Sequence, residues 1–265
     1  MRETWERRIR RAEQLAADGQ PTASLLAFYS RLLQQQRAVY DSLADRRLSG
    51  AIEEDAALIA AGAPSVLEEV AAHGPAPLVA EARALLAREA AAIRAMLVDY
   101  WLTRSDRRFF AKALLQPYAQ RCAEGAVNVS RLVGGSGSAS LSGERCPRCG
   151  GAPQLSVLEV AGGESSDGGS RTLLCATCLT SWPCRRVLCP ACGEEDERRL
   201  GYFRSPILDH VRVDACETCR RYLKTVDRGR LGLAVPLVDE VAGAPLDVWA
   251  QEHGYAKIEL NLVGL

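Results

Sequence analysis

The chemistry of this chain is carried by cysteines set two residues apart. Four Cys-x-x-Cys pairs fall between residues 146 and 219: Cys146/Cys149, Cys175/Cys178, Cys189/Cys192 and Cys216/Cys219. A two-residue spacer lets both thiolates of one tight turn face a single cation, while amides of the turn donate to the sulfurs. Eight thiolates fill two tetrahedral sites with none left over. All-thiolate tetrahedral sites suit two zinc ions, and equally two iron ions (Fe2+/Fe3+). A complete four-ligand shell leaves no position for water or substrate. Such sites are structural or electron-transferring, not hydrolytic.

What lies between the pairs indicates how they group. Short β-like runs follow the first knuckle (Gln154 to Val160) and the third (Arg198 to Phe203), and lead into the second (Arg171 to Leu174) and fourth (His210 to Val213). The intervening stretches, Gly150 to Leu174 and Gly193 to Ala215, are similar in length. Gly162 to Gly169 reads as a solvent-side hairpin loop within the first. A unit of knuckle, strand, loop, strand and knuckle therefore occurs twice. The repeat favours consecutive grouping, with Cys146, Cys149, Cys175 and Cys178 on one metal and Cys189, Cys192, Cys216 and Cys219 on the other. Grouping knuckles one and three is the alternative. The first knuckle of each unit ends in glycine, which accepts a left-handed backbone. The second knuckles end in Leu179 and Arg220, so less regular turns are expected there. Neither small unit can bury much apolar surface alone, so metal loss is expected to unfold this half.

The remaining reactive side chains carry little. Cys122 reads as a buried small hydrophobe in a helix, and Cys184 as a non-ligand thiol beside the metal units. His73 and His253 sit at or in helices and His210 before a strand, all as surface or capping residues. The sequence has no Gly-x-Ser-x-Gly, His-Glu-x-x-His or phosphate-loop motif, and a non-enzymatic protein is expected.

The elements that position the cysteines begin with a helical half, residues 1–133, rich in Ala, Leu, Arg and Glu. Helical segments are expected over Pro21 to Leu48, Ala51 to Ala61 and Val66 to Ala72. A long one follows over Pro77 to Trp101, and another over Arg107 to Cys122, where Pro117 predicts a kink or a break. The Gly/Ser run in 134–143 reads as a flexible linker. The expected domains are thus a helical bundle (1–133), the linker (134–143), metal modules at 144–186 and 187–228, and a C-terminal helical segment (229–265). The fold class is α plus small β, with two tandem zinc-ribbon or rubredoxin-like modules after the bundle and a C-terminal helix. The chain has 265 residues with 33 basic and 33 acidic side chains, so no polybasic arm for nucleic acid is present. No apolar run reaches the ~20 residues that span a bilayer. The Arg-rich start lacks an apolar core and carries Glu3, Glu6 and Glu13, against a signal or transit peptide. A cytoplasmic location follows, where paired cysteines serve as ligands more often than as disulfides.

Beyond these features, the chain resembles the FdhE family of formate dehydrogenase accessory proteins. The resemblance rests on Cys146-Pro147-Arg148-Cys149-Gly150-Gly151-Ala152-Pro153, on Leu174 to Gly193, and on Ala215 to Lys224 with its Tyr222-Leu223-Lys224. Leu114-Leu115-Gln116-Pro117-Tyr118 and the stretch from Pro245-Leu246-Asp247 to Gly254-Tyr255 extend it. It implies a helical region followed by two rubredoxin-like modules that bind iron. It also implies a non-catalytic role in maturing formate dehydrogenase, a molybdenum- or tungsten-dependent enzyme, by binding its catalytic subunit in the cytoplasm. Relatives commonly read Trp-His where this chain reads Trp182-Pro183-Cys184. Candidate partner-binding residues are Trp182, Cys184, Arg185 and Arg186 beside the second knuckle, and Arg220, Arg221 and Lys224 at the fourth. The alternatives are a rubredoxin-like electron carrier and a nucleic-acid-binding zinc ribbon.

Overall fold

A computed structural model describes residues 4–19, 21–103, 108–127, 144–159 and 169–265. The expected linker at 134–143, and the loop except for Gly169, lie outside the described residues.

Among the described residues, seven helices form the first half: α1 (Trp5–Ala17), α2 (Ala23–Ser42), α3 (Ile52–Ala60), α4 (Ala63–His73), α5 (Ala76–Leu86), α6 (Ala90–Thr103) and α7 (Phe109–Glu124). The Thr4 hydroxyl caps α1 by accepting from Arg7 N at 3.3 Å, satisfying one of the helix's free amides. Leu26, Leu32, Ile52, Ile59, Leu97 and Trp101 meet in a shared core. The single helix expected over 77–101 is two, α5 and α6. α5 lies along α4 and α6 along α3, and one straight rod cannot follow both directions. Residues 87–89 hold neither Gly nor Pro, so nothing local marks the break.

Helix α7 runs unbroken through Pro117. Proline removes the amide that would donate to the Ala113 carbonyl one turn earlier. Gln36, fully buried on α2, supplies the missing donor: its Nε2 reaches Ala113 O at 2.8 Å. One residue before the proline, Gln116 accepts from the same Gln36 Nε2 at 3.4 Å and donates to Ala176 O of the second knuckle at 3.0 Å. The helix thus spends its polar side chains joining the bundle to the metal-binding half. Gln36→Leu should strip Ala113 O of its donor and lower stability by about 2 kcal/mol. In a Pro117→Ala background, where a backbone amide returns, the same change should cost markedly less. Equal losses of melting temperature in both backgrounds would refute this pairing.

The second half is one seven-stranded sheet with six strands in the order β3-β2-β1-β6-β5-β4. These are β1 (Pro153–Leu158), β2 (Arg171–Cys175), β3 (Ser181–Cys184), β4 (Leu200–Arg204), β5 (Val211–Cys216) and β6 (Arg221–Asp227), with β7 (Ala256–Lys257) beside β6. Each repeat unit is an antiparallel meander of three strands, the third (β3, β6) leaving the second knuckle of its unit. These third strands are absent from the sequence reading. The two meanders join edge to edge through β1 and β6, which pair in parallel from Leu155↔Lys224 to Leu158↔Asp227. The units are therefore halves of a continuous sheet, not beads on a string. The C-terminal helix is two, α8 (Pro236–Ala242) and α9 (Ala244–Glu252), turning at Gly243. A Cβ there would meet Val211 Cγ1 at 3.0 Å, so glycine lets the corner rest on β5.

Candidate metal centres

The four knuckles converge in two groups of four cysteines, Cys146/Cys149/Cys175/Cys178 and Cys189/Cys192/Cys216/Cys219. Within each group the sulfurs lie within 4.8 Å of one another. In the first, Cys146–Cys178 and Cys149–Cys175 are 3.5 Å apart; in the second, Cys189–Cys219 and Cys192–Cys216 are 3.7 Å apart. Disulfide sulfurs would be about 2.05 Å apart. Four sulfurs each about 2.3 Å from a central cation stand about 3.8 Å from one another. The donor set fits a tetrahedral cation of the zinc or iron kind.

The four turns share one backbone form. The residue after the last cysteine of each knuckle is left-handed: Gly150 (φ 74°), Leu179 (φ 56°), Gly193 (φ 77°) and Arg220 (φ 56°). The less regular turns expected at Leu179 and Arg220 do not occur. Convergence of four sulfurs imposes the same turn on all four knuckles, at roughly 1 kcal/mol of strain where the residue is not glycine. The Thr177 amide donates to Cys175 Sγ at 3.3 Å, the kind of contact that favours a thiolate.

The two groups differ in setting. All four cysteines of the first are buried, in the same core as the helices. In the second, Cys192 is exposed and Cys219 partly so. Burial pushes the Cys175 thiol well up, and raises Cys219 to about 11. Four thiolates packed this closely are tolerable only around a cation that offsets their charge. The packing leaves little slack: a Cβ on Gly151 would stand 3.0 Å from Cys175 Sγ and 3.2 Å from Cys149 Sγ. Gly151→Ala should therefore accelerate metal loss from the first group several-fold while sparing the second. Indistinguishable release to a chromogenic chelator would contradict this.

The partner-binding candidates scatter. Arg185 and Arg186 are exposed; Arg185 Nη1 pairs with Glu195 at 2.9 Å and Arg186 Nη1 donates to Gly169 O at 2.8 Å. Arg220 and Arg221 are exposed too, the Arg220 guanidinium lying 4.0 Å over the Tyr255 ring. Cys184 is half-buried, outside both sulfur groups, its thiol pushed up by burial. Two candidates are corrected. Trp182 is buried against the core at 6% exposure, because β3 turns it inward. Lys224 is completely buried. Its Nζ donates to the Glu240 carbonyl and to Asp247 Oδ2, and stands 3.0 Å from Glu240 Oε1. Lys257 completes this cluster against the same two acids, 3.2 Å from Asp247 Oδ1. Lys224 faces inward because β6 lies between β1 and β5, under α8 and α9, where two buried carboxylates need cations. His210 is likewise buried, not at the surface: its Nε2 lies 2.7 Å from Asp239 Oδ1, whose carboxylate also receives Arg11 of α1.

Sequence reasoning missed Arg171, which ties the two units together. Its Nη1 donates to Leu188 O at 2.9 Å just before the third knuckle. Its Nε reaches Ser156 Oγ of β1 at 3.3 Å, and its Nη2 stands 3.5 Å from Asp214 Oδ2 of β5. A lone arginine at the head of a strand gives no local sign of this.

Residues 187–263 match the family model described as FdhE, C-terminal domain. The "Protein FdhE homolog" of Aquifex aeolicus is 39% identical over 120 residues, 45% of this chain and 41% of that protein. The "Protein FdhE homolog" of Edwardsiella ictaluri is 29% identical over 95% of this chain and 86% of its own length. The alignment with the Aquifex relative thus spans under half of that protein. In fold, the chain is similar to the crystal structure of the FdhE protein from Pseudomonas aeruginosa. That match has a TM-score of 0.69 and 22% identity, covering 98% of this chain and 95% of the other.

Proposed function

We propose, from the premise that this chain is an FdhE-type protein, that it is a non-catalytic accessory factor for the maturation of formate dehydrogenase. It binds that enzyme's catalytic subunit in the cytoplasm through a scaffold held by two metal ions. The observation that carries this reading is the closure of both sulfur groups: four cysteines in each, at tetrahedral spacing, with no fifth donor among the described residues. Such shells hold shape and leave no coordination position for a substrate. The eight cysteines are the ligands, and the bound iron or zinc supplies the cross-link that a small sheet lacks. Arg185 and Arg186 beyond the second knuckle, and Arg220 and Arg221 beyond the fourth, are the exposed rim arginines offered to the partner. Among the described residues no helix is long and apolar enough to cross a membrane.

The test is co-purification of tagged protein with the formate dehydrogenase catalytic subunit from formate-grown cells, repeated with the four rim arginines changed to glutamate. Enrichment lost in the variant supports the proposal. Equal recovery with untagged control beads removes it. One observation favours a second reading, electron transfer by iron: Cys192 brings the second group to the surface. Anaerobically purified protein would then carry two irons by mass spectrometry and be red, with a reversible one-electron couple. A zinc-loaded, colourless protein from iron-replete cells would exclude it.

A further inference from the structure

The helical half and the sheet meet around a cleft of about 410 Å3. Its walls come from five parts of the chain: α1, α7, the first two knuckles with β1 and β2, the turn after β6, and the start of α8. The volume is in the range of small-molecule sites, which favour such junctions. Four arginines line it, Arg7, Arg8, Arg148 and Arg228, against two carboxylates, Glu124 and Glu159. Both carboxylates are engaged by the wall itself. Glu159 Oε1 accepts from Arg228 Nη1 at 2.8 Å, and Glu124 accepts from Gln120 Nε2 at 3.0 Å and from the Tyr40 hydroxyl.

Positive charge therefore exceeds negative in a concave site that partly excludes water. Arg228 Nε is buried with no hydrogen-bond acceptor among the described residues. A buried, unsatisfied charged donor is costly unless something supplies an acceptor. Arg148, exposed in the first knuckle, pairs with none of the described carboxylates. Thr172, Thr180 and Ser181 line the sheet side. Guanidinium forks match the oxygens of phosphate and carboxylate groups.

We infer that this cleft is a binding site for a small anion bearing phosphate or carboxylate groups, held chiefly by Arg148 and Arg228. A ligand seated there touches both halves of the protein and fastens them together. Neither half contains the site alone, since Arg148 and Arg228 belong to the sheet half and Arg7, Arg8 and Glu124 to the helical half.

The experiment uses the full metal-loaded chain, titrated calorimetrically with pyrophosphate and separately with citrate at low ionic strength. Saturable one-to-one binding of at least one probe is expected, with a rise in melting temperature. Arg148→Gln and Arg228→Gln should each weaken it about tenfold or more, as expected for lost charge-assisted hydrogen bonds. Arg186→Gln, outside the cleft, should leave it unchanged. Metal content and circular dichroism verify each variant, and if Arg228→Gln misfolds, the exposed Arg148 decides. Response to pyrophosphate alone, or to citrate alone, identifies the head group. Absence of saturable binding to either probe below about 10 mM, or equal weakening by Arg186→Gln, overturns the inference.

Discussion

Cys175→Ser should abolish cooperative folding of the sheet, whereas Cys192→Ser should cost one metal ion and leave the fold in place. The asymmetry comes from where the two sulfur groups sit. The first lies inside the core that also contains Trp101, Tyr118 and Val238, with Cys149 and Cys175 completely buried. Emptying it leaves four mutually close thiols among apolar side chains, and every one must find a proton or a new partner. The second group has one exposed and one partly exposed member, so water can take over its polar groups. Structural zinc contributes on the order of 10–16 kcal/mol in small metal domains, comparable with the 5–15 kcal/mol of a typical domain's total stability. Loss of the buried cation can therefore remove all of it. A chelator should release metal in two phases, the second group first, with helicity and protease resistance falling only in the slower phase. Metal-free protein with unchanged circular dichroism and proteolysis would refute the argument, as would a milder effect of Cys175→Ser than of Cys192→Ser.

Lys224→Met should lower stability by about 3–5 kcal/mol, the cost of stranding buried charge. Lys224 and Lys257 stand against Glu240 and Asp247, all buried, so the two charges of each sign cancel. Removing one lysine leaves two carboxylates to share the other. Asn261 and Gln154 donate to Glu240 Oε2 at 2.9 and 3.3 Å, but neutral donors cannot replace the cation. A soluble, fully helical Lys224→Met protein with an unchanged urea midpoint would be incompatible with this network.

The same network sets a dependence on pH. Burial alone would raise the Glu240 carboxyl, yet the two lysines more than offset it and hold it at about 2. An unfolded glutamate titrates near 4.3. The folded carboxyl binds its proton less readily, so its stabilising contribution is complete above about pH 5 and is lost as pH falls towards 2. The stability gap between the native chain and Glu240→Gln should therefore narrow on acidification. Measuring the gap rather than either midpoint cancels acid release of the metals, and a gap independent of pH would refute the assignment.

The candidate metal centres were legible because their logic is local. Two cysteines three positions apart are brought together by a single turn, so spacing alone specifies which sulfurs can share a cation. The repeat of strand and loop lengths extended this to grouping, and the sulfurs gather in the consecutive arrangement. Helical character in the first half was equally local, a matter of composition and periodicity. The break missed at 87–89, and the one that does not occur at Pro117, are those where a distant partner decides. Gln36 keeps α7 continuous from 77 residues away in sequence.

The chain by itself determined the cysteine framework, the helical first half and the β-rich second, since each follows from residues within a turn or two of one another. Only the tertiary structure decided which face each strand presents. The segment Arg221–Asp227 carries an arginine, a lysine and an aspartate, and Arg221 and Lys224 read as candidate partner-binding residues. The segment is instead an interior strand of the sheet, because β1 claims one side of it and β5 the other. Helices α8 and α9 then supply the acids that make a buried lysine affordable. A charge is costly inside a protein only when unpaired, and its partner can come from anywhere in the chain. No reading of Lys224 in its own neighbourhood could locate Glu240 and Asp247.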